Sequence, residues 1–387
     1  MTLDLAKVRA DVKIRGMDIG LFRGVWPLEG WDYRRKVTIT EQSGNDLTDY
    51  QVLVELNSTN FNFAHAQTNG EDIRFADEEG NLRDYWIEKW DAANEEAKVW
   101  VKVPSIPANS SVEIYMYYGN PSASSESDVS ATFIRVIDGV VGSWHFDEGS
   151  GTTAYDSSGN NYDGTINGAT WVDGKFGKAL SYDGDDDYVD TADISEIELH
   201  DASFVVWVKL DTLSEDQDII TKGGHQLNEP LIIWYDVSVS SGADVGGGNT
   251  NTISILTCDG STQHWIAASS NSINDNNWHH ITAVVDITNN ILKLYIDGEL
   301  EASNTKAWNG IADASVKLRI GDATPSSHPF DGIIDEVLVF DKALSAEEIL
   351  DLYNNYGYTT ENYPGKVLVR KYTEPEPSVS VGGEETP

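Results

Sequence analysis

Residues 330–353 read FDGIIDEVLVFDKALSAEEILDLY, and the segment changes its period halfway along. GIIDEVLVF is short and rich in β-branched residues, as strands are. After DKAL, Ser345 stands three residues ahead of Glu348 as a capping box, and Ile349, Leu350 and Tyr353 form an apolar stripe at helical spacing. No other helix in the chain is well signalled, so a single helix closes a long series of strands.

Upstream of this segment run VVGSWHF, KALSYDG, DYVDT, ASFVVWVKL, PLIIWYDV, TISILTC, HWIAAS, WHHITAVVD, ILKLYIDG and VKLRIGD. Short runs of this kind, bounded by turn residues, predict two sheets closed as a jelly roll over residues 138–356. Farther upstream RRKVTIT, YQVLVELN, DIRFAD, DYWIEKW, AKVWVKV and SVEIYMYYG predict a compact β-sandwich over residues 29–133. Between the two, NPSASSESDVS at 120–130 is small and polar and marks a boundary. Residues 1–28 alternate at Val8, Val12 and Ile14 but are too few to hold a core. They read as an N-terminal arm, with a disordered leader as the rival reading. Residues 357–387, ending EPEPSVSVGGEETP, offer little apolar surface and are expected to be a partly disordered extension.

The second domain resembles the laminin-G-like jelly roll of the concanavalin-A-like lectin and glucanase superfamily. The resemblance rests on an ordered series: GSWHFDEGSGTTAYDSSGNNYDG, GKFGKALSYDGDDDYVD, FVVWVKL, WHHITAVVD, LKLYIDGEL, LRIGD and the 330–353 segment. The first domain resembles an uncharacterised β domain found beside such jelly rolls in archaeal and bacterial surface proteins, through WDYRRKVTI, LTDYQVLVELN, EDIRFADEEG, YWIEKW and VWVKVPSIPANSSVEIYMYYGN. The expected class is therefore all-β: two β-sandwich domains, the second a concanavalin-A-like jelly roll, with an N-terminal arm.

Composition narrows the function. Asp and Glu number 64 against 26 Lys and Arg, a formal charge of -38 that repels phosphate backbones and anionic membranes, so nucleic acid is not an expected partner. The chain has one cysteine, Cys258, which rules out an intrachain disulfide and thiol-based zinc sites. No apolar run is long enough to span a membrane as a helix. The start MTLDLAKVRADVKIRG lacks the apolar core of a secretory signal. That leaves a trimmed signal, non-standard export, or assembly on a virus particle.

DSSGNNYDG at 156–164 combines carboxylates, amides and glycines in a loop of the kind that wraps calcium. An Asx-rich turn satisfying its own backbone is the alternative. Laminin-G-like relatives hold calcium where this loop meets the DEV strand, and that resemblance implies a structural calcium at Asp156, Asp163 and Asp335, with Asn161 as a weaker ligand. The acidic run DGDDDYVD at 183–190 reads as a turn in preference to an ion cage, because neighbours on a strand face opposite ways. Sugars need aromatic faces and polar rims. Trp144, Trp207 and Trp278 sit in family strands and read as core. Trp234, Tyr235, Trp265 and Trp308, beside polar loops, are the expected carbohydrate platform. His279 and His280 read as a strand feature, and the sequons at Asn57 and Asn109 permit glycosylation.

Glucanases of this superfamily carry paired carboxylates about 5–5.5 Å apart on one strand face. Here the nearest pair is Asp335 and Glu336, which are adjacent, and no Ser-His-Asp phrase or HExxH motif is present. The expectation is a non-catalytic carbohydrate-binding or adhesion protein outside the cell. It would be a virion appendage (fibre, spike or turret) or an archaeal or bacterial cell-surface protein. Its partners would be glycans or glycosylated surface proteins, with homo-oligomerisation or docking to a larger particle through residues 1–25. A purely structural decoration subunit without a glycan ligand is the alternative.

Overall fold

The computed structural model describes residues 26–387 apart from 213, 224–229, 237–251, 268–272, 274, 314 and 324–327. The arm expected at residues 1–25 lies outside the described residues. Just after it, Trp26 and Leu28 pack with Ala76, Tyr115 and Tyr117.

Alternation builds the first body. Its strands are β1 (Tyr33–Thr40), β2 (Leu47–Asn57), β3 (Arg74–Ala76), β4 (Leu82–Arg83), β5 (Tyr85–Asp91), β6 (Glu96–Ile106) and β7 (Ser111–Tyr118). Every second residue turns inward, so Val37, Ile39, Val52, Val54, Phe75, Val99, Val101, Ile114 and Met116 share one core. Two antiparallel sheets close over it, one ordered β2-β6-β5 and one containing β1-β7-β3-β4. The polar stretch that follows is irregular as far as Asp128, whose carboxylate caps the single turn α1 (Val129–Thr132).

The second body opens with β8 (Arg135–Asp138), β9 (Val140–Trp144), β10 (Thr153–Ala154), β11 (Gly164–Asn167), β12 (Thr170–Asp173), β13 (Lys178–Asp183) and β14 (Tyr188–Asp190). It continues with β15 (Ala202–Leu210), β16 (Gln217–Lys222), β17 (Leu231–Asp236), β18 (Thr252–Cys258), β19 (Gln263–Ala267) and β20 (His279–Asp286). Then come β21 (Ile291–Ile296), β22 (Glu299–Thr305), β23 (Leu318–Ile320), β24 (Asp331–Phe340) and the helix α2 (Ala346–Asn354). One sheet is ordered β10-β11-β14-β23-β16-β17-β18-β19 and the other β12-β13-β24-β15-β20-β21-β22, with β9 paired to β24. Trp144, Phe204, Val206, Tyr235, Ile255, Ile281, Phe330 and Ile334 are among the residues that fill the space between them.

The outer face of the second sheet is also covered. Ile349 and Leu352 of α2 press on Val205, Val284, Leu338 and Phe340. Both capping-box hydrogen bonds between Ser345 and Glu348 are made. Burial on both faces explains why ASFVVWVKL and GIIDEVLVF lack clean alternation.

The extension is a correction to the sequence reading. Residues 357–387 are not a loose tail: β25 (Tyr356–Tyr358) and β26 (Lys366–Arg370) make a small sheet with β8, and β27 (Ser378–Glu385) returns to pair with β1 of the first body. The first body's larger sheet is therefore ordered β27-β1-β7-β3-β4. SVSVGGEE holds little apolar surface, but the β1 edge supplies its backbone partners, and Val379 and Val381 reach the first core. Its far end is fixed by Arg34, which pairs with Glu385 at 2.7 Å, and by His65, whose Nδ1 lies 2.9 Å from Glu384 Oε2.

Candidate functional site

The loop 156–164 is built from its own backbone. Asp156 accepts at Oδ1 from the N–H groups of Ser143 and Ser158, and at Oδ2 from Tyr162 N–H and the Ser158 hydroxyl, all at 2.9 Å. Asp163 accepts from the N–H of Asp156 at 2.9 Å, and Asn161 takes a left-handed turn conformation with φ 62°. Asp335 lies elsewhere, fully buried in β24, where its Oδ2 accepts from the N–H groups of Lys175 (2.8 Å) and Phe176 (3.1 Å). Among the described residues, one triple of acidic, His or Cys side chains brings its ligand atoms within 4.8 Å of one another, and it is Asp183, Asp186 and Asp187. Asp156, Asp163 and Asp335 form no such set. Backbone N–H groups and a hydroxyl hold both oxygens of Asp156, whereas Asp335 Oδ1 is buried without a hydrogen-bond partner. The run read as a turn is where carboxylates converge.

The expected carbohydrate platform is not a surface. Tyr235 is fully buried between the sheets, and Trp234 and Trp308 are 8% and 6% exposed. The indole N–H of Trp308 donates to Thr257 Oγ1 at 3.1 Å. Each neighbouring loop is polar, but β17 lies inside an eight-stranded sheet, and Trp308 packs into the core between the sheets. The side chain of Trp265 lies outside the described residues.

What the sequence did not reveal is the junction of the two bodies. Strand β6 turns Val99, Val101 and Val103 into the first core and Trp100 to the opposite face, where Trp86 of β5 pairs with it across the ladder. Those two indoles meet Phe133 and Leu368, so the outer face of the β2-β6-β5 sheet docks on the β25-β26-β8 sheet. Glu88 is buried in this seam. Its carboxylate accepts from the Trp100 indole N–H (2.7 Å), Thr360 Oγ1 (2.7 Å), Tyr358 OH (3.1 Å) and the Asn362 amide (3.1 Å).

Beside the seam lies a cavity of about 700 Å³, walled by β2, β6, the start of β27, Asp147, Tyr356, Tyr358 and Arg370. The Arg370 guanidinium stacks over Trp100 (5.0 Å) and Tyr356 (4.9 Å) and grips Glu376 through two bonds of 2.9 and 2.7 Å. Burial opposes its charge, but Glu376 prevails and holds its pKa above the usual guanidinium value. Glu376 also accepts from the Tyr50 hydroxyl at 2.9 Å, so residues from both bodies and from the C-terminal strand meet at one point.

Nearby, His145 Nδ1 lies 2.7 Å from Glu336 Oε2, and His145 Nε2 lies 2.7 Å from Thr359 Oγ1. Thr359 in turn bonds the hydroxyls of Ser143 (2.8 Å) and Ser157 (2.7 Å). A bulge makes this possible: the β15–β24 register shifts opposite Glu336, which adopts φ 53° and reaches the imidazole while Asp335 faces the 174–177 loop. Burial pulls His145 down to about 4 and pushes Glu336 well up. The order of hydroxyl, imidazole and carboxylate is that of a nucleophilic triad. Thr359 is buried, however, its oxygen already serves three neighbours, and none of Thr359, His145 and Glu336 lines the 700 Å³ cavity. The network joins β9 to β24 and the 359 turn, and its geometry leaves the hydroxyl closed to a substrate.

Residues 183–350 match the concanavalin A-like lectin/glucanases superfamily, and residues 69–163 match a domain of unknown function, DUF2341. Adhesion G-protein coupled receptor V1 of Danio rerio is 22% identical over 182 residues, which are 46% of this chain and 3% of that receptor. Domain 4 of AbnA, a GH43 extracellular arabinanase from Geobacillus stearothermophilus solved with arabinotriose, is 22% identical with a TM-score of 0.44, covering 56% of this chain and 98% of that domain. The binding domain of Paraclostridial Mosquitocidal Protein 1 is 19% identical with a TM-score of 0.43, covering 56% of this chain and 52% of that one. The chain carries a laminin-G-like jelly roll of the concanavalin A-like lectin/glucanase superfamily, preceded by a DUF2341 domain.

Proposed function

We propose that this chain is a non-catalytic carbohydrate-binding and adhesion protein of an extracellular surface, and that the junction cavity is its glycan site. The observation that carries the reading is the cavity itself. At about 700 Å³ it falls in the size range of small-molecule sites, roughly 300–1,000 Å³. Of the aromatic residues around it, Tyr358 is half-buried and the others are buried, and Tyr358 stands beside the charged and amide groups that sugar hydroxyls require. The superfamily of the jelly roll includes lectins, and among the described residues no helix is long and apolar enough to cross a membrane. A virion appendage or a cell-surface protein facing glycosylated partners fits the acidic, solvent-tolerant composition. Oligomers or docking through residues 1–25 would multiply weak single sites into avidity.

A glycan array probed with the intact protein tests the reading, run with and without EDTA and repeated with a Lys98→Ala, Asp147→Ala double variant. A defined set of glycans should bind, with or without chelator, and the double variant should lose them. Absence of binding to any glycan, or binding indifferent to both substitutions, would place the site elsewhere or deny it.

A further inference from the structure

The groups around the junction cavity both give and take hydrogen bonds, and their charges are unevenly matched. Glu55, Asp147 and Glu376 face Lys98 and Arg370. Glu376 and Arg370 satisfy each other through their paired bonds. Glu55 stands directly across the β2–β6 ladder from Lys98. Asp147 is exposed, its Oδ1 accepts from Lys178 N–H at 2.8 Å, and no cation pairs with it within 4.0 Å among the described residues, so three carboxylates face two cations. One donor remains unused: the Lys98 ammonium has no carboxylate within 4.0 Å among the described residues.

A ligand carboxylate could accept from Lys98 but would confront three carboxylates in the same cavity. A hydroxyl both donates to acids and accepts from a cation, so it suits Asp147 and Lys98 alike. The chain as a whole adds to the bias, because a net charge of -38 repels anions before they arrive.

We propose that the junction cavity recognises neutral, hydroxyl-rich saccharides and excludes those bearing uronate or sialate carboxylates, with Asp147 as the residue that sets the exclusion. The inference rests on the glycan reading above and adds the chemical class. Lys98 donates to a ring hydroxyl, and Asp147 accepts from one. An acidic sugar would add its charge to a wall where Glu55, Asp147 and Glu376 already outnumber Lys98 and Arg370, and such like-charge juxtaposition is a strong determinant of specificity.

The test uses the full chain against neutral oligosaccharides and against sialylated or uronate-bearing oligosaccharides built on the same cores, at about 50 mM and about 500 mM salt. Neutral ligands should bind with little salt dependence, and their acidic counterparts about tenfold more weakly, or worse, at low salt. High salt should narrow that gap, and so should Asp147→Asn at low salt, a substitution that keeps the oxygen accepting from Lys178. Acidic ligands binding as well as neutral ones at low salt, or a preference that Asp147→Asn leaves intact, overturns the inference and leaves the glycan reading standing. Silence from both classes overturns both.

Discussion

At the residue scale, two histidines of the jelly roll titrate in opposite directions. Burial opposes the charge on His279, but Asp297 at 2.8 Å and Asp275 at 3.0 Å outweigh it and raise its pKa. Its contribution to stability is therefore complete below the unfolded value of about 6.5 and is lost as pH rises through the raised value. His145, held down to about 4 by burial, behaves in reverse. Between about 6.5 and about 4 the unfolded chain takes up a proton that the folded chain refuses, so His145 removes stability as pH falls. An NMR titration should find His279 charged and His145 neutral at about pH 5.5; a charged His145 there would contradict the buried network. The acidic triple makes a second prediction. Asp183, Asp186 and Asp187 crowd one another within 4.8 Å, so Asp186→Asn should raise the thermal midpoint in EDTA and abolish any rise produced by calcium. Asp163→Asn should leave the calcium response unchanged, because Asp163 is engaged with the backbone of its own loop.

At the scale of elements, α2 was legible at its cap, because a capping box is local in sequence, but of the expected stripe Leu350 is exposed and the helix buries Ile349 and Leu352. Ser345→Ala removes the acceptor for Glu348 N–H and should destabilise the jelly roll by about 1 kcal/mol in urea unfolding, with the slope unchanged. The β24 bulge was not legible. Alternation predicts that Asp335 and Glu336 point to opposite faces of a regular strand, but one residue at φ 53° resets the register and lets both be buried with separate partners. A bulge of this kind carries no glycine here to announce it. The final strand was missed for another reason: SVSV alternates correctly but carries too little apolar surface to be recognised without the β1 edge it completes.

At the scale of the whole molecule, the chain leaves its first body, builds the jelly roll and comes back to finish the first body with β27. Glu88 and the Trp86–Trp100–Phe133 cluster fasten the two together along the way. The two bodies should therefore unfold in a single calorimetric transition. Deleting residues 371–387 removes β27, Glu376 and one wall of the cavity. The truncated chain should show two transitions, the earlier belonging to the first body, and its exposed β1 edge should promote self-association in light scattering. One unchanged transition and a monomer would mean that β27 is dispensable.

Taken alone, the sequence determined that the chain is all-β, that a jelly roll follows a smaller sandwich, and where the capped helix α2 begins. Strand period, turn residues and helix caps act within a few positions of one another and are written in order along the chain. Only the tertiary structure decided which aromatic residues meet solvent, which carboxylates converge and where a cavity lies. Trp234 and Trp308 neighbour polar loops yet are buried, whereas Trp100, which looks like an ordinary strand residue, stands at the junction. The exposure of a side chain depends on what packs against the second face of its sheet. That partner comes from residues hundreds of positions away, as Glu88 with Asn362 and β1 with β27 show, and local pattern carries no record of it.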